Sequence, residues 1–394
     1  LLVNTIFARR VSPPRLPRQI PAMSVTSHDA DLRMRLIAIS TELTEQFRAW
    51  RGETWSDARF DELARRIFTL QFEASVPYRK YCVSRGMDPD RIGHWREIPP
   101  VPTAAFRRVE FRTSHGADEL RFNTSGTTRG RNARGRHIVP SPELYRASLR
   151  EPFRHFVLGE CPLEPLMLSL VPPFATTGDS SLGWMLDDMI DGFGIPGSRS
   201  VADESGIDWQ LLESICRSAE RGETPVCLMG TTLAFSTWTD RLQREATQIT
   251  LPPGSVLMDT GGVKGRPGLD RTDMLSTLLP LLGLEPVQVV NEFGMTELLS
   301  QMYGRGTENP PLNGPPWLRT LVLDPVSLAP RADGSDGILC HYDLANVGSV
   351  IGVLTDDRGR IGTEGLTWLG RSPGAPPRGC SLATAELLAV QNDG

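Results

Sequence analysis

The 394 residues carry 42 basic and 47 acidic side chains, a formal net charge of −5, with 39% hydrophobic and 23% charged residues. A chain of this length exceeds one ordinary core and predicts two or three lobes, or one large enzyme domain, of soluble globular composition. The negative balance argues against a non-specific nucleic-acid binder, and no apolar run approaches the roughly 20 residues that a membrane span needs.

From the first residue, the stretch 1–22 carries Arg9, Arg10, Arg15 and Arg18 with four prolines and no acid, which spoils an amphipathic presequence. Residues 1–24 are expected to be a disordered tail, or to precede a start at Met23. "DLRMRLIAISTELTEQF" sets Leu32, Leu36, Ile39, Leu43 and Phe47 on one helical face, and "FDELARRIFTLQF" does so with Phe60, Leu63, Ile67 and Leu70. An extended, proline-marked stretch, "REIPPVPTAAFRR", precedes a loop at 122–137, "FNTSGTTRGRNARGRH". Beyond it, strands are predicted at 165–171, 225–229, 255–258 and 286–290, with helices near 143–157, 207–221 and 271–283. This alternation predicts an α/β fold (or α+β) with mixed, helix-flanked sheets, and from about 337 the pattern becomes shorter and strand-rich. The six cysteines (82, 161, 216, 227, 340, 380) have no C-x-x-C pair and no metal-ligand spacing with the histidines, so free thiols in a reducing cytoplasm are expected.

In α/β sheets, ligands gather at loops beyond the carboxyl ends of strands, and four loops have the composition for it. In the loop at 122–137, Thr124, Ser125, Gly126, Thr127 and Thr128 precede Arg129, Arg131, Arg134 and Arg136. G-x-x-x-x-G-K-[ST] is absent, but backbone amides, hydroxyls and arginines of this kind suit a phosphate chain. "DTGGVKGR" offers Gly261 and Gly262 for close backbone approach, with Lys264 and Arg266; it also reads as a plain turn. "NEFGMTEL" follows an apolar strand. Its carboxylates suit a hard cation such as Mg²⁺ and its aromatic suits a base, while the bland reading is a strand-to-helix turn with Thr296 as N-cap. "TDDRG" is a type I turn by composition, although a carboxylate there can also hold ribose hydroxyls. In "PRGCSLATAEL", Arg378 beside Cys380 would favour a thiolate; most lone cysteines are small buried hydrophobes.

Taken in order, these motifs resemble the adenylate-forming superfamily of acyl- and aminoacyl-activating ligases. "TSGTT" is similar to its phosphate loop, "FGMTE" to its aromatic–Gly–x–Thr–Glu motif, and "LTDDRG…WLGR" to its ribose-binding aspartate and Gly-Arg hinge. "IPPVPTAAFRR", "SLVPPFATTGDSSLGWM", "DTGGVKGR", "EFGMTELLSQMY" and "PRGCSLATAEL" resemble more narrowly the acyl-protein synthetases of bacterial bioluminescence, the LuxE-type fatty-acid–luciferin-component ligases. The resemblance runs from about residue 60 to the C-terminus.

It implies an ATP- and Mg²⁺-dependent ligase that converts a carboxylic acid, of the fatty class, to acyl-AMP and then to a thioester on Cys380. It also implies roles by position. Thr124, Ser125, Gly126, Thr127 and Thr128 would hold the β/γ-phosphates, with Gly261, Gly262, Lys264 and Glu292 contributing to the nucleotide site. Phe293 would lie by the adenine, Thr296 and Glu297 would serve the α-phosphate and Mg²⁺, Asp357 the ribose, and Arg371 the hinge. An acyl reductase or acyl-carrier partner would receive the acyl group. The domain plan implied is an adenylate-forming unit at 25–370 and a short segment at 371–394, the remnant of the lid domain, carrying the cysteine. Arg129 stands where the superfamily usually has glycine, and only 23 residues follow Arg371, too few for most of the mobile lid and its lysine. Two rivals follow: an acyl-adenylate ligase that uses coenzyme A or a carrier protein, and a nucleotide-binding subunit without chemistry.

Overall fold

The computed structural model describes residues 25–114, 119–124, 134–159, 164–261, 270–372 and 377–392. It opens with three helices, α1 (Val25–Ala49), α2 (Asp57–Ala74) and α3 (Val76–Ser84). The apolar stripes read on the first two are their buried faces: Leu32, Leu36, Ile39, Leu43 and Phe47 on α1, and Phe60, Leu63, Ile67 and Leu70 on α2. A short strand β1 (Val101–Pro102) is followed by the antiparallel pair β2 (Leu120–Asn123) and β3 (Arg136–Val139), which flank the opening loop.

Helices and strands then alternate. In order they are α4 (Pro142–Phe153), β4 (Leu166–Ser169), α5 (Phe174–Thr177), α6 (Ser181–Phe193), β5 (Arg199–Ser200), β6 (Ala202–Asp203), β7 (Gly206–Ile207) and α7 (Trp209–Arg221). β8 (Val226–Thr231), α8 (Thr232–Arg244), β9 (Val256–Thr260), α9 (Arg271–Leu282), β10 (Val289–Phe293) and β11 (Met302–Arg305) complete this part. Five of its strands form a parallel array that the antiparallel β11 extends, in the order β11-β10-β9-β8-β4-β5. The period of two divides the array between two cores. Leu166, Leu168, Val226, Leu228, Leu257 and Val289 point to the face covered by α7, α8 and α9, while Met167, Cys227, Met229, Met258 and Val290 point into the main core. Burial on both faces is why these strands read as unbroken apolar runs.

A second sheet contains β12 (Leu318–Leu323), β13 (Gly337–Asp343), β14 (Gly352–Gly362) and β15 (Gly365–Arg371), in the order β1-β14-β13-β12 with β15 also paired to β14. Trp317, at the entry to β12, stacks on Phe47 with ring centroids 3.9 Å apart and fixes α1 to this sheet. The last helix, α10 (Arg378–Asn392), packs against α3, β1 and β14. Among the described residues no helix is long and apolar enough to cross a membrane.

Two local readings are corrected. "TDDRG" is not a turn but the middle of β14, an eleven-residue strand, because β13 and β15 pair with it on both sides. Thr296 caps no helix: residues 294–301 are the loop between the antiparallel strands β10 and β11.

Candidate functional site

The site is assembled at the carboxyl ends of β9 and β10. Asp259 on β9 is fully buried and paired with Arg271 at the start of α9, with Nη2–Oδ1 at 2.6 Å and Nε–Oδ2 at 2.8 Å. Arg271 also donates to the Thr307 carbonyl at 2.7 Å, and Thr232 donates to the carbonyl of Gly261 at 2.7 Å. The Arg271 end of the glycine-rich loop is thereby anchored to a buried carboxylate, and the Gly261 end to Thr232 of α8. Gly261 sits at φ +76°, the left-handed region that glycine enters freely. Gly262, Lys264 and Arg266 lie outside the described residues.

The opening loop is held at its neck in a similar way. Thr124 N–H donates to the Gly135 carbonyl, and Gly135 N–H donates to Thr124 Oγ1, both at 2.8 Å. The threonine hydroxyl keeps its own proton as a donor. Asp179 ties both strands of the neck, accepting from Asn123 Nδ2 at 2.9 Å and from Arg134 Nη1 at 2.9 Å. Ser125, Gly126, Thr127 and Thr128 lie outside the described residues.

Beyond β10, Thr296 is half-buried and its hydroxyl lies 3.3 Å from that of Ser181, at the start of α6. Glu297 is buried, and its carbonyl accepts from Asn346 Nδ2 at 2.9 Å. The Thr296 carbonyl accepts from His137 Nδ1 at 2.6 Å. Glu292 is buried and hydrogen-bonded by Thr260 Oγ1 on the neighbouring strand, which makes it an inter-strand contact. Burial pushes its carboxyl up to about 7, against the lowering effect of Thr260 and with a raising one from Asp259.

The nucleotide residues expected from separate motifs converge. Asp357 on β14 is opposite Arg371 on β15, with an Nε–Oδ1 distance of 3.5 Å. Trp368 Nε1 donates to the same carboxylate oxygen at 3.3 Å, and the Trp368 ring lies 6.5 Å from Phe293, centroid to centroid. One tryptophan therefore links the aromatic of β10 to the aspartate and arginine of the second sheet. His341 flanks Phe293 on another side, at 5.8 Å.

The expectation for Cys380 needs correction in one respect. Arg378 is exposed, whereas the Cys380 side chain is buried and its Sγ donates to the Thr355 carbonyl at 3.3 Å. The charge beside the thiol is the Asp356 carboxylate. Burial first, and then that carboxylate, push the thiol up to about 12, opposite to the thiolate expected from Arg378.

Mg²⁺ takes few protein ligands and keeps waters and substrate phosphates. The buried Glu297 carboxylate and the paired Thr296 and Ser181 hydroxyls are hard oxygen donors of the type it accepts. Among the described residues no three metal-ligating side chains converge, so no all-protein cage is offered there.

Asp179, His137, Asn346 and Trp368 carried no role in the sequence. Asp179 and Trp368 lie inside motifs that resemble the family, "FATTGDSSLGWM" and "WLGR", and that proximity was the available signal. His137 closes the quoted stretch 122–137, which was its only signal, and Asn346 had none, since a lone buried asparagine looks like any other.

No protein-family model matches the chain. It is 23% identical over 352 residues to the long-chain-fatty-acid–luciferin-component ligase of Aliivibrio fischeri, covering 86% of this chain and 89% of that one. The Vibrio harveyi protein of the same name is 23% identical over 379 residues, 91% of this chain and 97% of its own. The resemblance read from the motifs extends over nearly the whole chain. Among solved structures, the open form of 2-hydroxyisobutyryl-CoA ligase, in complex with 2-HIB-AMP and CoA, matches at a TM-score of 0.56 and 14% identity. That match covers 80% of this chain and 68% of the ligase; the thioester-forming state of the same ligase gives 0.54, at 82% and 67%. The fold is thus the one seen in 2-hydroxyisobutyryl-CoA ligase.

Proposed function

We propose that the protein activates a carboxylic acid, of the long-chain fatty class, with ATP, and then carries the acyl group on Cys380. The observation behind this reading is the convergence of Phe293, Trp368, Asp357 and Arg371, four residues from three strands, in one cluster. The similarity to two luciferin-component ligases supports the substrate class.

In the first step a carboxylate oxygen attacks the α-phosphorus of ATP. The bond to the β-phosphate bridging oxygen breaks, and pyrophosphate leaves. The opening loop, held at its neck by Asp179, would bind the leaving phosphates, with Thr124 donating from its hydroxyl. Asp357 would accept from the ribose hydroxyls and Phe293 would lie against the adenine. Glu297, with Thr296, would hold Mg²⁺, which neutralises charge on the phosphate oxygens when bound. In the second step the Cys380 sulfur attacks the acyl carbonyl, the bond to AMP breaks, and the thiol proton passes to solvent or to Asp356.

The domain plan is an adenylate-forming unit at 25–370 and a short cysteine-bearing segment at 371–394. The acceptor beyond the enzyme would be an acyl reductase or carrier, and the compartment the cytoplasm, where buried free thiols such as Cys82, Cys216, Cys227 and Cys340 stay reduced. A second reading has one observation in its favour: because Cys380 is buried and strongly protonated, the acceptor in this conformation would be coenzyme A or a carrier thiol. Intact-mass measurement after incubation with ATP, Mg²⁺ and a panel of fatty acids tests both. An acyl adduct on the protein supports the first reading; free acyl-AMP with no adduct favours the second.

A further inference from the structure

The loop 294–301 has no helix or ladder of its own to fix the Thr296–Glu297 dipeptide, yet both of its carbonyls are engaged. His137 Nδ1 donates to the Thr296 carbonyl at 2.6 Å, and Asn346 Nδ2 donates to the Glu297 carbonyl at 2.9 Å. Both donors are themselves fixed. Asn346 is buried, and its carbonyl accepts from Gln71 Nε2 of α2 at 2.7 Å; the same Gln71 accepts from Ile351 N–H at 3.0 Å. His137 lies on β3, two residues beyond Gly135, which closes the neck of the opening loop on Thr124. A carbonyl only accepts, so His137 Nδ1 carries the proton. Its Nε2 is buried and meets no hydrogen-bonding partner among the described residues. A second proton there would find no acceptor, and burial accordingly keeps the imidazole neutral, pushed down to about 4.

We propose that His137 and Asn346 are positioning residues that grip the Thr296–Glu297 backbone from opposite elements, and that His137 couples this dipeptide to the neck of the opening loop. The inference rests on the acyl-AMP reading. On that reading the loop and Glu297 act on the same phosphates, and a displacement of about 1 Å between them costs on the order of a hundredfold in rate. Both side chains are buried and donate to the carbonyls of the dipeptide, so each acts through it.

An isosteric pair of variants tests the grip. His137→Asn places an amide nitrogen at the Nδ1 position, whereas His137→Gln places it one atom further out, with similar polarity and bulk. Acid-dependent pyrophosphate release is measured against ATP and Mg²⁺ for both, with Asn346→Leu as a third variant, and amide hydrogen exchange of the 294–301 peptide is followed in parallel. His137→Asn is expected to stay within about threefold of wild type. His137→Gln and Asn346→Leu are expected to lose about tenfold or more in kcat, to need more Mg²⁺ for half-maximal rate, and to exchange 294–301 faster. Equal kcat in the Asn and Gln variants, or unchanged exchange of 294–301 in His137→Gln, overturns the proposal. Should wild type release no pyrophosphate with any acid, the acyl-AMP reading falls, and the grip is decided by the exchange measurement alone.

Discussion

The surroundings of Glu297 and of Cys380 differ in kind, although both side chains are buried. The segment around Glu297 is held by polar contacts that leave the chain at a strand end: His137 and Asn346 on its carbonyls, and Ser181 near the Thr296 hydroxyl. Cys380 is held by packing. Leu387 and Ala383 of its helix are buried, Gln391 Nε2 donates to the Pro77 carbonyl at 2.9 Å, and the thiol points at the Thr355 carbonyl. Gly379, just before it, approaches Pro325 and Leu328 so closely that a Cβ would lie 2.6 Å from Leu328 Cδ2. On the proposed acyl-AMP reading, the first region would present its groups for adenylation as it stands. The second keeps its thiol protonated and covered, so on the proposed reading thioester formation would require α10 to shift against β14. The two buried groups thus differ in how they are held, by polar contacts to the backbone at Glu297 and by helix packing at Cys380.

The largest effect that would sharpen this contrast is on covalent labelling. Cys380→Ala should abolish the acyl label on the protein while pyrophosphate release continues. Wild-type label should be removed by neutral hydroxylamine, which cleaves thioesters. Stable label on the alanine variant would break the contrast by placing the acceptor elsewhere.

The opposite lesion is Glu297→Gln, which keeps shape and removes charge. Loss of a group that stabilises developing charge lowers kcat by about 10²–10³-fold. Pyrophosphate release should fall by that order and label should fall with it, because the second step has nothing to transfer. A normal rate of pyrophosphate release would remove Glu297 from the chemistry.

Legibility of the sequence follows the same division. Four of the five parallel strands were readable because burial on both faces leaves only apolar residues, and α1, α2, α4, α7 and α9 because their apolar periods survive, while the two-residue β5 was too short to read. α8, "TLAFSTWTDRLQR", was not placed, since its threonines and charges blur the period although Phe235, Trp238 and Leu242 are fully buried. α6 and α10 were missed too: α6 carries Gly183 and Asp188 within its buried stripe, and α10 begins with "RGCS". The convergence of Phe293 on Asp357 needed tertiary structure, because Trp368 makes the link from a third strand. The state of Cys380 was misread for the same reason: Arg378 is its neighbour in sequence, but Asp356 is its neighbour in space.

A smaller effect is expected at the nucleotide cluster. Asp357→Asn weakens the pair with Arg371 and replaces a charged acceptor by a neutral one. Hydrogen bonds to charged groups contribute about 1.5–3 kcal/mol, so ATP affinity by calorimetry should fall by roughly ten- to a hundredfold. Unchanged affinity would dissociate the cluster from nucleotide binding.

The smallest effect is on stability, and it tests whether the strand-end region holds its buried charges in balance. Burial raises Glu292 to about 7 and Asp343 to about 6, and lowers His137 and His341 to about 4. A raised carboxyl stabilises the fold below its unfolded pKa, and that contribution is lost as pH rises through the folded value. A lowered histidine does the reverse: its contribution is complete above about 6.5 and is lost as pH falls towards 4. Between about pH 4.5 and 6.5 two carboxyls and two imidazoles therefore oppose each other, and wild-type unfolding free energy should change little with pH. Glu292→Gln removes one carboxyl and keeps a partner for Thr260 Oγ1. The variant should then gain stability relative to wild type as pH rises, by about 2 kcal/mol between pH 5 and pH 7, from roughly 1.4 kcal/mol per unit where the group titrates in only one state. Urea unfolding of both proteins at pH 5, 6 and 7 reads the difference directly. Parallel curves for the two proteins would mean that Glu292 titrates alike in the folded and unfolded chains, which its burial between β9 and β10 does not permit.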